Sequence, residues 1–262
     1  MKKLLLLALV CIYGFSTEIT LGVVPQQSPL KLSKKWLKVT NYLEQKTGVK
    51  VIFKTERSIP TFEKVLYAGQ YDIAYMNPYH FVVANKKQSY QAFTRADKKI
   101  VGILLAKDKN FDVTNSNNIK GQTFLFPAPN AFAATLLPKF ELREKYNFDI
   151  DKEAQVRYVN SHDSVYKGVS REIGQVGGGI VRTFNNFVDK NDKDKLNIVY
   201  KTDAYPSHPI AAHPKLDKEL VSKLQKAFLE MPADIKKVLS IKNFIVTNNN
   251  EYDVIKEVKK AE

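Results

Sequence analysis

The residues best suited to hold a small ligand sit in short polar segments, each following an apolar run. The segments are Pro25-Gln26-Gln27-Ser28, Arg57-Ser58-Ile59, Tyr75-Met76-Asn77-Pro78-Tyr79-His80, Pro127-Ala128-Pro129-Asn130, Asn160-Ser161-His162-Asp163 and Gly177-Gly178-Gly179. Gln27, Asn77 and Asn130 bring amides, Ser58, Ser161, Tyr75 and Tyr79 bring hydroxyls, and His162 brings an imidazole. Arg182, just beyond the glycines, can clasp an oxyanion with two parallel N–H groups, and Ser207-His208-Pro209 adds a second imidazole. This set suits recognition of a small anionic ligand. Each member also has a plainer use. Ser58 and Ser161 are good helix N-caps, Tyr75 and Tyr79 can be core aromatics, His162 can be structural and Arg182 can face solvent. Gly177-Gly178-Gly179 can be a turn that needs positive φ, and it lacks dinucleotide-loop spacing.

Motifs for covalent or metal chemistry are missing. There is no GxSxG elbow, no Walker loop and no HExxH helix. His208 and His213 adjoin prolines and lack helical metal-ligand spacing. The single cysteine, Cys11, lies in the N-terminal leader, so thiolate catalysis, disulfides and Cys-type metal sites are not expected in the mature chain. The expectation is a binding protein, not an enzyme, with no cofactor and no metal.

The elements that must position these segments follow in an alternating order. Ile19 to Val24 reads as a strand ending at Pro25, and a helix capped by Ser33 carries Trp36, Val39 and Leu43 on one face before Gly48. Val49 to Lys54, Asp72 to Met76 and Ile100 to Ala106 read as further strands, with helices starting at Ser58 and near Pro78 between them. A second run repeats the order, with strands at Gln122–Phe126, Gln155–Val159, Gln175–Gly178 and Leu196–Tyr200 and helices from Phe132, Ser161 and Val181. Pro138 should kink the Phe132 helix or move its boundary. Ile210 to Ala212 is a short return strand, and the end reads as helical, with Leu216, Leu220, Leu224 and Phe228 on one face.

Two βαβ runs imply an α/β protein of two lobes, each a mixed, mostly parallel sheet flanked by helices. The expected division is a leader at 1–16, the first lobe at 17–102, the second at 103–204, and a return to the first at 205–262. No Gly/Ser/Pro-rich linker separates the lobes, so extended crossings near Ile100 and Tyr205 should act as a hinge. In such sheets ligands lie beyond the carboxyl ends of the strands, at helix N-termini. The polar segments fall at those ends.

The leader is read from Met1-Lys2-Lys3, the apolar run Leu4 to Tyr13, and small residues Gly14 and Ser16 before Thr17. It predicts export to the periplasm; Val10 before Cys11 disfavours a lipid anchor there. Net charge is +14, but the lysines are scattered without interleaved aromatics, so no nucleic-acid partner is expected.

Three stretches resemble one family. Gly22-Val-Val-Pro-Gln-Gln-Ser-Pro-Leu-Lys-Leu-Ser-Lys-Lys-Trp36, Tyr71-Asp-Ile-Ala-Tyr-Met-Asn-Pro-Tyr79 and Asn160-Ser-His-Asp-Ser-Val-Tyr166 are similar to the phosphate/phosphite/phosphonate-binding family of ABC-transporter periplasmic proteins. The likeness runs from about Thr20 to Met231. It implies a type II periplasmic-binding fold that closes around a hinge, a monomeric receptor that delivers its ligand to a transporter permease, and ligand contacts from Tyr75, Tyr79, Ser161 and His162. The same fold could instead serve a receptor kinase as a sensor partner. Family members that bind phosphonates usually carry a Ser/Thr-rich turn before the first helix of the second lobe. Here that turn reads Phe126-Pro-Ala-Pro-Asn-Ala-Phe-Ala-Ala134, without hydroxyls, leaving Asn130 and helix N–H groups to do the work.

Overall fold

Proline and serine set the first boundary. Pro25 follows the first strand, and Ser28 caps the next helix, whose first residue is Pro29. Ser28, not Ser33, is therefore the cap; the Ser33 hydroxyl donates back to Leu30 O at 3.1 Å. The computed structural model describes residues 18–260, so the leader lies outside the described residues.

Strands β1 (Glu18–Val23), β2 (Lys50–Thr55), β3 (Ile73–Tyr75), β4 (Gln91–Ala96), β5 (Ile100–Ala106), β6 (Thr123–Phe126), β7 (Gln155–Tyr158), β8 (Val176–Ile180), β9 (Asn197–Tyr205), β10 (Pro209–Ala212) and β11 (Phe244–Val246) form two sheets. Their orders are β11-β4-β10-β3-β1-β2 and β7-β6-β8-β5-β9. The helices are α1 (Pro29–Thr47), α2 (Ile59–Tyr67), α3 (Pro78–Gln88), α4 (Ser116–Ile119), α5 (Leu137–Tyr146), α6 (Ile150–Glu153), α7 (His162–Ser170), α8 (Val181–Asn185), α9 (Lys190–Lys193), α10 (Lys218–Leu229), α11 (Ala233–Val238) and α12 (Ile255–Lys260). The result is the expected two-lobed α/β architecture. The sheets are more evenly mixed than the βαβ order suggests. The β1–β2, β1–β3, β6–β7 and β6–β8 pairs are parallel, whereas every pair involving β4, β5 or β10 is antiparallel.

The second sheet takes up the chain at Ile100 and returns it after Tyr205, and these two residues pair across β5 and β9. The C-terminal region is not purely helical, because β11 joins the first sheet beside β4. Helix α10 does bury Leu224 and Phe228 as its periodicity predicts.

Gly177, Gly178 and Gly179 are not a turn. They are the body of β8, and none has positive φ. A side chain at Gly178 would strike the Ala134 carbonyl and the Phe126 ring, and one at Gly179 would strike Tyr166. Their smallness lets α7 and a π-helical turn (Phe132–Leu136) lie directly on the sheet. That turn runs straight into α5. Pro138 has no N–H to return to Ala134, and the turn before it is widened, with Leu136 N reaching Ala131 O at 3.3 Å.

The apolar core of the first lobe includes Leu21, Val39, Phe62, Ile73 and Phe228. It continues across the interface to Ala131, Phe132 and Ile180 of the second lobe. The lobes thus meet through packed apolar surface beside the two crossings, where Phe132 stands edge-on to Tyr205.

Candidate functional site

Parallel strands β1 and β3 and strands β6, β7 and β8 all point their carboxyl ends at the gap between lobes, and the segments after them line it. From the first lobe come Gln26, Gln27, Lys35, Trp36, Tyr75 and Asn77. From the second come Ala131 to Ala134, His162, Arg182 and Thr183, and His208 lies just before β10.

Arg182 is the centre of the arrangement. Its Nη2 donates to Tyr75 Oη at 2.7 Å and to Gln26 Oε1 at 3.4 Å, both across the gap. Because Gln26 Oε1 faces Arg182, its amide nitrogen is the group that faces His208 Nε2, at 3.1 Å. The amide donates, so the ring accepts at Nε2 and carries its proton on Nδ1. Tyr75 is wedged between the His208 ring, stacked at 5.2 Å, and Trp36 at 4.9 Å.

Both cleft histidines are held neutral. Burial, reinforced by the Arg182 charge, drops His162 to about 3 and holds His208 well below the usual histidine range. Thr183 spends its own hydrogen on Ile180 O at 3.0 Å, so it accepts from Tyr166 at 2.7 Å and from His162 Nδ1 at 3.5 Å. A neutral His162 of that tautomer presents Nε2 as an acceptor. Such an atom suits a protonated oxygen, P–OH rather than P–O⁻. Positive charge in the cleft therefore comes from Arg182 and Lys35. Lys35 donates to Gln27 Oε1 at 3.0 Å, and burial beside Arg182 and Lys31 lowers its pKa.

Asn77 links the lobes in another way. Its Oδ1 caps α3 by accepting from His80 N at 2.7 Å, which leaves Nδ2 to donate to Asn130 O at 3.0 Å. His80 Nε2 stands 3.1 Å from the same Nδ2 and 2.9 Å from Glu63 Oε1. Beyond the cleft, Lys31 on α1 pairs with Asp163 on α7 at 2.5 Å.

The structure brings Gln27, Tyr75, Asn77, His162, Arg182 and His208 to the gap. Asn130 contributes its backbone carbonyl. Three expected residues stand elsewhere. Ser58 and Ser161 are N-caps whose oxygens accept from Thr61 N at 3.3 Å and Ser164 N at 3.1 Å. Tyr79 packs on the first-lobe core. Sequence reasoning passed over Gln26, Lys35 and Thr183. Lys31 and Lys35 share a helix face through their four-residue spacing, and that was the available signal.

The cavities inside the gap are small, about 50 Å3 beside Arg182 and Tyr75 and about 10 Å3 between His162 and His208. The second is room for about one water. Entry of a larger ligand requires the lobes to part. Among the described residues no group of three or more His, Cys, Asp or Glu could hold a metal ion, and no helix is long and apolar enough to cross a membrane.

Two α/β lobes on paired crossings, with polar groups from both converging at strand ends, give the architecture of a two-lobed periplasmic binding protein. The chain belongs to the family described as ABC transporter, phosphonate, periplasmic substrate-binding protein, whose family model matches residues 21–252. It is 25% identical over 237 residues to the phosphate-import protein PhnD of Mycolicibacterium smegmatis, covering 83% of this chain and 73% of that one. The binding-protein component of an ABC phosphonate transporter from Pseudomonas aeruginosa superposes with a TM-score of 0.82 at 19% identity, covering 93% of this chain and 86% of that one. PhnD1 of Prochlorococcus marinus, solved with methylphosphonate, gives 0.84 at 16% identity, covering 94% and 98%.

Proposed function

We propose that this protein captures a small phosphate- or phosphonate-like oxyanion between its lobes in the periplasm and presents the closed form, as a monomer, to an ABC-transporter permease. The observation that carries this reading is Arg182, which reaches from one lobe to Tyr75 and Gln26 of the other, with Lys35 alongside. A bound oxyanion would accept from Arg182 of one lobe and Lys35 of the other and so favour closure. The methylphosphonate complex of the Prochlorococcus relative and the phosphate-import role named for the Mycolicibacterium relative support the ligand class. The protein binds its cargo and leaves it unchanged.

Without a Ser/Thr turn, the anion would be held by Arg182, by N–H groups of the Phe132 turn and by Asn77, while His162 receives a proton-bearing oxygen. The site residues proposed are thus Gln26, Gln27, Lys35, Tyr75, Asn77, His162, Arg182 and His208. Thermal-shift measurements against phosphate, phosphite, methylphosphonate, sulfonates and carboxylates test the reading. A bound oxyanion at about 100 times its Kd should add roughly 2.7 kcal/mol of stability. If only neutral or cationic compounds raise Tm, the oxyanion reading falls.

A further inference from the structure

A cavity larger than those inside the gap lies away from the centre of the cleft. It has a volume of about 320 Å3 and opens beside the hinge, between the crossing at Ala96–Val101, helix α8 and the loop at Ser240–Lys242. Its floor is apolar, formed by Ile100, Val101 and Val181, and its rim carries Lys98, Lys99 and Lys242. All three lysines are exposed, and none forms an ion pair among the described residues. The lining holds one carboxylate, Asp97, which is engaged by amides: Lys98 N donates to Oδ1 at 2.8 Å and Asn243 Nδ2 to Oδ2 at 3.2 Å. The cavity therefore sets three lysines against one carboxylate, a net positive rim over an apolar base.

Arg182 lines both this cavity and the inner one, and His208 borders this cavity and the space beside His162. The inner spaces have volumes of about 50 and 10 Å3 and suit one compact head group at most. Arg182 is thus a wall common to the inner space and the hinge cavity, and a group attached to that head would pass Arg182 to reach the hinge cavity. Its apolar floor suits a short carbon linker and its lysines suit a second negative group.

We propose that the cargo is an organic anion with two separated charged groups, a phosphonate or phosphate head at Arg182 and a carboxylate or second phosphoryl group at Lys98, Lys99 and Lys242. This rests on the oxyanion reading above and narrows it to a two-headed class. The second group adds affinity through three clustered cations, so its contribution weakens as ionic strength rises.

The test is calorimetric titration of the mature protein with two ligand sets. Phosphate and methylphosphonate carry one head; 3-phosphonopropionate and methylenediphosphonate carry two. The two-headed set should bind at least ~10-fold more tightly at low salt. A Lys98→Gln/Lys99→Gln/Lys242→Gln variant should lose that margin and keep its methylphosphonate affinity within about 2-fold, and a Lys190→Gln control should retain the margin. Equal affinity for both sets overturns the inference, as does a margin that survives the triple variant or falls equally in the control. Methylphosphonate binding without any advantage for two heads removes this inference and leaves the oxyanion reading standing. Failure of every oxyanion to bind removes both.

Discussion

Arg182 of the second lobe donates to the hydroxyl of Tyr75 in the first at 2.7 Å, and its guanidinium carbon lies 6.0 Å from the centre of the same ring. One side chain thus bridges the cleft through a hydrogen bond, with the ring near enough for a weaker cation–π contribution. Tyr75→Phe keeps the ring and removes the acceptor. Ligand affinity should fall by roughly 10-fold, with little change in Tm, since a hydrogen bond to a charged group contributes about 1.5 kcal/mol or more. Arg182→Lys should weaken binding further, because an ammonium lacks the planar fork that gives an oxyanion two parallel N–H groups. Titration calorimetry on both variants checks this; unchanged affinity in both would remove Arg182 from the site.

The neutral cleft histidines set a pH dependence of stability. Unfolded, an imidazole titrates near 6.5, while folded His162 titrates near 3. Between those values the unfolded chain binds more protons, so acid favours unfolding. Stability is complete above about pH 6.5 and is lost as pH falls toward 4, before most carboxylates titrate. His162 alone should cost roughly 2–3 kcal/mol between pH 7 and 4.5, and His208 acts in the same direction. Urea melts across this window should show the decline, and His162→Gln should flatten it. A slope untouched by that substitution would contradict the assignment.

The Lys31–Asp163 pair joins the lobes at the rim, with the lysine 38% exposed. Exposure limits what such a pair contributes, so Lys31→Ala should weaken ligand binding by about 2–4-fold at low salt through a less populated closed form. The difference should vanish in ~1 M salt, where screening acts within about 3 Å. A salt-independent effect would mean that Lys31 acts through something other than its charge.

Gly178 and Gly48 separate two uses of glycine. At Gly178 an added methyl meets the Ala134 carbonyl and the Phe126 ring, so Gly178→Ala should destabilise by about 2–3 kcal/mol and spread the π-helical turn. At Gly48 there is open space but φ is 72°, so Gly48→Ala should cost about 1 kcal/mol through backbone strain alone. Equilibrium unfolding of the pair gives the order directly.

Elements with strong local chemistry were legible in the sequence. Gly48 does end its helix, Asn77-Pro78 does start one, and the apolar faces of α1 and α10 are buried as their periodicity implies. Strand β4 was not legible. Ala92, Phe93 and Thr94 are buried in succession, and Glu251 accepts from Arg95 Nε at 2.6 Å. Nothing local to Gln91–Ala96 announces a partner that distant in sequence. Strand β11, three residues long, is too short to carry a pattern. Within the site, charge and ring type picked out Arg182, His162 and Tyr75. Ser58 and Ser161 cap their helices, and capping and ligand binding call for the same hydroxyl at the same end of a helix, so the sequence does not separate the two uses. Gln26 and Gln27 differ in sequence by one step, and only the turn after β1 sends Gln26 to Arg182 and Gln27 to Lys35.

The pairing of Ile100 with Tyr205 gives the two crossings a common fate. Outgoing and returning segments are neighbours on one ladder, and that ladder shifts register between Val101 and Ile103 and again between Leu104 and Leu105. Two strands bonded in one ladder move together, and a ladder bends where its register shifts. Opening should therefore resemble a book turning on its spine, with the far rim, where Lys31 meets Asp163, travelling farthest and Arg182 near the binding travelling least.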